Sequence, residues 1–563
     1  MARAPIDMEG RPTSGAWRAG LLMALAILGL ALLQTHPLWR FLGQGIPYGY
    51  RVVPGYELVP GMPGDHLQFL YWCWLLADNL FGPSALFSNP YEFNTFLTPN
   101  GLPGFANFPW SILYVIFAPL GQSPAYNAMV LISYLLAGLT AYGLAAEVLK
   151  DRVAAMPAGI IFALLPFRAA QVLSGHLYGF VAFLLPLMLY CLERGWRQAS
   201  WLWGVGAGAC LVAMGMMEPH LVYYSSLFLG LYVPLRLLIQ HQEREPLTGN
   251  FSDALLVITG ALGAGVMAHT SLIRDGGEFF SAGLLQASGI YLALFVCLWL
   301  LLSWLTVPLT LLPLAKARRM WARGFVAFAL LGLYAIQLKF NVPFLGSILL
   351  GLSLILALFL TLPRIWPHRR RPHPLGKVWL PVWPLAVGLC LAIARMLVVK
   401  ASSFDQSIAG KGRGLHEVFL FTPGLGDLLH LGNAHMEKLV HLGWGLAGLC
   451  VLGLVLLGFA LPRKALQSAQ ATVWAFLAAL AALLALGPTV KAAPLYALLY
   501  KVVPFFNFPR VPGRLIIFAV LMMSLLAGWV IRELSGGLKR KTWLSAALSI
   551  AIFAGFTYDL GLP

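Results

Sequence analysis

Long apolar runs, broken at intervals by short basic clusters, decide what this chain can become. Ala19 to Leu33 carries no polar side chain, and Leu515 to Ile531 carries no charged one. About 20 such residues cross a bilayer as a helix. Runs of this kind recur near 19–34, 126–148, 153–167, 180–192, 201–217, 221–238, 253–269, 284–313, 325–338, 343–362, 378–398, 443–461, 470–487, 515–531 and 543–558. Only 10% of the 563 residues are charged, against roughly 25% in soluble domains. The chain therefore reads as an all-α polytopic membrane protein with about 13–15 transmembrane helices. It forms a single integral membrane domain over 1–563, in which 280–377 supplies extra helices. The first run ends in Gln34-Thr35-His36-Pro37 with no small-residue cleavage site, so it reads as a retained anchor.

The formal charge of +17 does not point to nucleic acid. The basic residues fall in short links: Lys150/Arg152, Arg194/Arg197, Arg236/Arg244, Lys316/Arg318/Arg319/Arg323, Arg364/Arg369/Arg370/Arg371/Lys377, Arg463/Lys464 and Arg532/Lys539/Arg540/Lys541. With the N-terminus inside, strict alternation places all of them in the cytoplasm, as the positive-inside rule requires, and puts the C-terminus outside. The long links 35–125, 400–442 and 487–514 then face outward, and chemistry is expected there. Six cysteines, Cys73, Cys191, Cys210, Cys297, Cys390 and Cys450, lie in apolar stretches without metal or redox spacing and read as packing residues.

Within the first outer loop, Leu67–Phe81 and Trp110–Leu120 are apolar and too short to cross. The first is rich in Trp and Tyr, which favour the membrane–water boundary. Both read as interfacial helices, joined by a link punctuated by Pro83, Pro90, Pro99, Pro103 and Pro109.

Acids are scarce, at 21 residues, so the outer ones stand out. Asp65 follows Gly64 and heads the first interfacial segment. It fits an N-terminal helix cap, and equally a general base whose pKa is raised by desolvation at the lipid boundary. Asp78, Glu218 and Glu417 are outer acids able to support it. His176 and Glu218 fall in short outer turns and can converge with Asp65. A divalent metal there is left open, because no His/Asp spacing is diagnostic. Among outer cations, Arg395 lies inside an apolar run, where charge is costly and usually functional; snorkelling to the surface accounts for it as well. Arg510 and Arg514 flank Val511-Pro512-Gly513 at the mouth of a span, which suits a lipid phosphate or plain interfacial anchoring. The second loop, with His416, His430, His435, His441, Asp427 and Glu437, reads as solvated.

The pieces Gly64-Asp65-His66-Leu67-Gln68-Phe69, Thr98-Pro99-Asn100-Gly101, Ala125-Tyr126-Asn127, Ser174-Gly175-His176, Asp427-Leu428-Leu429 and Arg510-Val511-Pro512-Gly513-Arg514, in this order, resemble the GT-C superfamily of polytopic membrane glycosyltransferases, closest to an uncharacterised bacterial branch. The resemblance implies a GT-C-like helical bundle in a bacterial inner membrane. It implies a polyisoprenyl-phosphate sugar donor and a lipid, glycan or protein acceptor. Transfer would occur on the periplasmic face with inversion, Asp65 being the base and His176, Arg395, Arg510 and Arg514 serving the donor phosphate. The paired acids that some branches carry after the first span are missing, and 280–377 matches nothing in the family. A lipid-linked sugar flippase and a non-catalytic assembly subunit remain alternative functions.

Overall fold

The computed structural model describes residues 14–47, 65–91, 100–101, 107–241, 380–399, 414–429, 436–443, 446–453, 465–489, 495–503 and 506–537. The expected spans within 253–362 and at 543–558 lie outside these residues, as do Cys297, His430 and His435. The described chain is mostly helical: α1 Ser14–Gln34, α2 His66–Phe81, α3 Ile112–Phe117, α4 Gln122–Leu149, α5 Arg152–Ala163, α6 Pro166–Leu173, α7 Leu177–Val181, α8 Leu184–Gln198, α9 Trp201–Met217, α10 Pro219–His241, α11 Val382–Val399, α12 Leu415–Leu420, α13 Ala465–Ala485, α14 Leu495–Val502 and α15 Ile516–Gly537. A two-residue ladder joins β1 Ser88–Asn89 to β2 Asn100–Gly101, antiparallel.

Among the described residues, Gln122–Leu149, Leu177–Gln198 and Pro512–Leu534 are long and apolar enough to cross a membrane, and the bent pair α5–α6 makes a fourth if it is one span. The protein is thus an all-α membrane protein. Its outer leucines agree: Leu21, Leu22, Leu25 and Leu33 of α1 stay exposed, which suits a lipid-facing helix. The segment Pro512–Leu534 is 94% buried in its apolar window, against 56% for α4, so α15 is the axis around which the others pack. Small residues let α9 and α11 approach: Gly208 and Gly388 meet backbone to backbone, leaving no space for a side chain on either.

Prolines set the breaks that matter. The span expected at 153–167 is broken: α5 ends at Ala163 and α6 begins at Pro166, 44° off. Leu165 precedes Pro166 and is driven to an extended conformation, φ −48° and ψ 122°. The freed carbonyl of Leu164 accepts from Nε2 of Gln34 at the end of α1, 3.0 Å away. Such rescue of freed backbone groups is what lets a helix break inside a bilayer. Glu218 likewise precedes Pro219, is extended at φ −139° and ψ 94°, and separates α9 from α10.

Both short helices expected in the first outer loop form, as α2 and as α3 with a 3-10 turn at Ala118–Leu120. With 16 residues, α2 is about 24 Å long. It buries Phe69, Cys73 and Leu76 and leaves Leu67, Leu80 and Phe81 exposed. Asn127 of α4 donates to the carbonyls of Leu42 (2.9 Å) and Gly45 (2.7 Å), which ties the start of the loop to the bundle.

Candidate active site

Asp65 stands at the head of α2. Its side chain makes no capping hydrogen bond, so the capping role is not the one it plays. It is also 70% exposed. The enclosure expected of it at the lipid boundary is therefore not found.

What the carboxylate does face inward is His176, with Nε2 3.4 Å from Oδ2. The turn that carries His176 links α6 to α7, and the sequence builds it locally. Gly175 has φ +77°, a left-handed conformation that glycine adopts without steric cost. A Cβ on Gly175 would overlap the backbone of His66. This close approach seats the turn on the first residue of α2, beside Asp65. Within this turn the imidazole is only 11% exposed.

Behind His176 lies a buried polar network. Nδ1 of His176 is 2.7 Å from Oε1 of Gln171 on α6, and 3.6 Å from Oε1 of Glu437. Gln171 donates through Nε2 to Oε2 of Glu437, 3.2 Å. Glu437 sits in the second outer loop, read from sequence as solvated, yet its side chain is 7% exposed. The 3-10 turn Met436–Lys438 packs against Gly513, where a Cβ would lie 2.7 Å from the Glu437 carbonyl. That contact brings the next residue, Arg514, to Glu437 (3.4 Å from Oε1) and to Glu218 (3.7 Å from Oε1). Nδ1 of His220 is 2.8 Å from Oε1 of Glu218 and 3.0 Å from the Arg514 guanidinium. Tyr178 donates to the Arg514 carbonyl at 2.7 Å and lies under its guanidinium.

The electrostatics follow from this enclosure. For His176, burial disfavours the imidazolium more than Glu437 and Asp65 favour it, and Arg514 adds to the opposition, so its pKa falls below its ordinary value. For Glu437, burial alone would raise the carboxyl, but Arg514, His176 and the Gln171 hydrogen bond outweigh it, and the pKa is lowered. For Glu218, burial also pushes upward and is outweighed by His220 and Arg514. At neutral pH the buried part of the cluster therefore holds ionised Glu437 and Glu218 against the Arg514 guanidinium, beside a neutral His176.

The other residues expected at the site lie elsewhere. Asp78 is on α2, about 20 Å along the helix from Asp65, and accepts from the Tyr91 hydroxyl at 2.6 Å. Glu417 on α12 acts electrostatically on Tyr500. Arg510 is exposed, its guanidinium 4.6 Å from the centre of the Phe421 ring. Arg395 falls on α11, and its side chain lies outside the described residues. Arg514 is present and enclosed by two carboxylates. Among the described residues no group of three or more His, Cys, Asp and Glu is arranged to hold a metal ion. Gln171, Tyr178 and His220 join the site without having been expected there, and Glu437 joins it from a loop that reads as solvated. Only Glu437, as a rare acid, carried any signal.

No protein-family model matches the chain, and no curated protein matches it. Among solved structures, the archaeal oligosaccharyltransferase AglB from Archaeoglobus fulgidus, in complex with an inhibitory peptide and a dolichol-phosphate, is similar over 97% of this chain and 55% of its own, at 13% identity and a TM-score of 0.41. The oligosaccharyltransferase of Archaeoglobus fulgidus in the apo form is similar over the same shares at 13% identity and a TM-score of 0.43. The chain spans about half the length of these proteins. At such scores the likeness assigns neither a reaction nor a residue role to this chain.

Proposed function

We propose that the protein is a glycosyltransferase of the GT-C type that moves a sugar from a polyisoprenyl-phosphate donor to an acceptor hydroxyl, with inversion and with Asp65 as general base. The observation that carries this reading is the pairing of an exposed carboxylate with a buried imidazole at the head of a helix too short to cross a membrane. A general base must come within hydrogen-bond reach of the proton it removes. Of the three carboxylates in the cluster, Asp65 is the one open to a substrate, while Glu218 and Glu437 are enclosed around Arg514. In the reaction, the acceptor O–H bond breaks toward Asp65, the oxygen bonds to the anomeric carbon, and the lipid phosphate leaves with the electron pair. Arg510, exposed and held on Phe421, and Arg395 are the cations proposed to meet that phosphate.

Orientation follows from charge. Lys150, Arg194, Arg197, Arg236 and Arg532 share the end of the bundle opposite Asp65, and the positive-inside rule puts that end in the cytoplasm. The Asp65 end then faces the periplasm of a bacterial inner membrane. A flippase would place ionisable groups near mid-bilayer; among the described residues, the buried carboxylates Glu147, Glu193, Glu218 and Glu437 instead gather at the two ends.

Asp65→Asn is expected to abolish sugar transfer from polyisoprenyl-phosphate-linked donors while the chain remains folded and inserted. Near-normal transfer by that variant would remove Asp65 as the base. Labelling of a single cysteine at position 402, in a background without other cysteines, is expected from the outer side, and at position 468 from the inner side only. The reverse pattern would invert the orientation.

A further inference from the structure

The unused feature of the cluster is the direction in which His176 holds its proton. Gln171 fixes it. The amide nitrogen of Gln171 donates to Glu437, so its oxygen is the atom that faces Nδ1 at 2.7 Å. An oxygen there demands a proton on Nδ1. Glu437, 3.6 Å from the same nitrogen, favours a proton there too. A neutral imidazole with its proton on Nδ1 turns a bare lone pair on Nε2 toward Asp65. The separation of 3.4 Å is longer than an N–H···O hydrogen bond, whose usual range is about 2.7–3.2 Å. At that separation no hydrogen bond joins the two groups, as a lone pair facing a carboxylate requires.

We propose that His176 is the proton-holding partner of Asp65. It receives at Nε2 the proton that the Asp65 carboxylate takes from the acceptor hydroxyl. This inference rests on the reading of Asp65 as the base. The step balances: the proton leaves Asp65 Oδ2, which returns to carboxylate, and bonds to the Nε2 lone pair, giving an imidazolium. Its charge is met by Asp65 on one side and by Glu437 on the other. After the products leave, the same proton returns through the exposed Asp65 to water, and the cycle closes without a further reactant.

The groups around the imidazole suit this role. From the head of α2 come Asp65 and the backbone of His66; from α6, Gln171; from the Met436–Lys438 turn, Glu437; from the 3-10 turn Pro512–Leu515 just before α15, Arg514; from the α9–α10 break, Glu218. Burial and Arg514 keep the resting imidazole neutral and able to accept, while Glu437 and Asp65 keep the imidazolium within reach. An exposed carboxylate alone is a weak base at neutral pH; a neutral histidine behind it completes the proton transfer. His176 touches Asp65 and not the substrate, so it is a positioning residue.

Two measurements on the full chain in liposomes test this. In the first, solid-state NMR with 15N-labelled histidine, assigned by subtraction of the His176→Gln spectrum, reads the ring directly. At pH 7 the proposal requires a neutral His176 with its proton on Nδ1. A proton on Nε2 instead, or a doubly protonated ring at pH 8, overturns it. In the second, the pH dependence of kcat/KM is followed with a polyprenyl-phosphate sugar as donor. The wild type is expected to lose activity on acidification through a step that belongs to the Asp65–His176 pair. In His176→Gln the rate falls on the order of 10²-fold, and the remaining limb moves to lower pH, toward that of a lone carboxylate at about 4. A His176→Gln limb that coincides with wild type overturns the proposal, whatever its height. Asp65→Asn separates the two ideas: if it is inactive while His176→Gln keeps the wild-type limb, the base stands and the partner falls; if Asp65→Asn retains transfer, the base itself falls.

Discussion

The two ends of the bundle hold buried carboxylates in opposite ways. At one end, Glu147 accepts Lys150 (2.8 Å), Arg194 (3.3 Å) and Arg197 (2.8 Å). Beside it Glu193 binds Arg236 through both oxygens (2.8 and 2.9 Å) and takes the Tyr232 hydroxyl at 2.7 Å. Cations outnumber carboxylates there. At the other end, Glu218 and Glu437 share Arg514, and Asp65 faces His176. The same helices serve both ends: α10 runs from Glu218 to Arg236, and α15 follows Arg514 and reaches Arg532. Each pair is about eighteen residues apart, a rise of about 27 Å, close to the roughly 30 Å of a hydrocarbon core. The cation-rich end is built to be saturated and anchors the helices. Among the described residues, the acid-rich end is left short of positive charge, with one carboxylate in the open.

Substitutions at the two ends are expected to separate stability from activity. Asp65→Asn should lower transfer by on the order of 10²–10⁴-fold, yet leave the thermal midpoint where it was, because an exposed side chain without capping bonds stabilises little. A large drop in midpoint would mean that Asp65 is structural after all. Arg236→Met should do the converse: it strands the buried Glu193 and is expected to cost about 3–5 kcal/mol, read in detergent unfolding, with the activity of the folded fraction retained. Acidification should act on the acid-rich end. His176 is held below its ordinary 6.5, so the unfolded chain binds its proton first and stability falls as pH drops past that value. Glu218 and Glu437 are held below their ordinary 4.5, so their contribution is present above it and is lost as pH falls further, through their folded values. Unfolding midpoints measured from pH 8 to pH 4 should therefore be flat above about 7 and fall below it; a midpoint that rises on acidification contradicts the assignment. Smallest of all, Arg510→Ala should change the midpoint by less than about 0.5 kcal/mol equivalent and raise KM for the donor, without altering the pH limb.

Much of this was legible in the chain. Apolar runs placed the helices because membrane spans must satisfy their own backbone, and the short aromatic run after Asp65 marked α2. The break within 153–167 was in the sequence as Pro166, but an apolar run hides it from a hydropathy reading. Asp65, His176 and Glu218 stood out as rare polar groups at turns, and the fold brings His176 to Asp65 and Glu218 to Arg514. Glu437 was misjudged because its loop is polar throughout; what buries it is the closeness of Gly513, and no local pattern records a contact made between distant residues. Gln171 was silent for a related reason: a neutral amide on a short helix carries no charge signal, and its value lies in the two partners it joins. Arg514 was found for its charge, while the carboxylates that occupy it could be seen only in three dimensions.

The seat of Gly175 on His66 has a consequence for how the molecule is made. Asp65 emerges from the ribosome early, the turn that must lie against it about a hundred residues later, and Arg514 close to the end of the described chain. A nascent chain arrested in between can insert helices into the bilayer, but it exposes an acid with no imidazole behind it and no guanidinium to hold the network. The cluster thus comes together only after most of the described helices have been made.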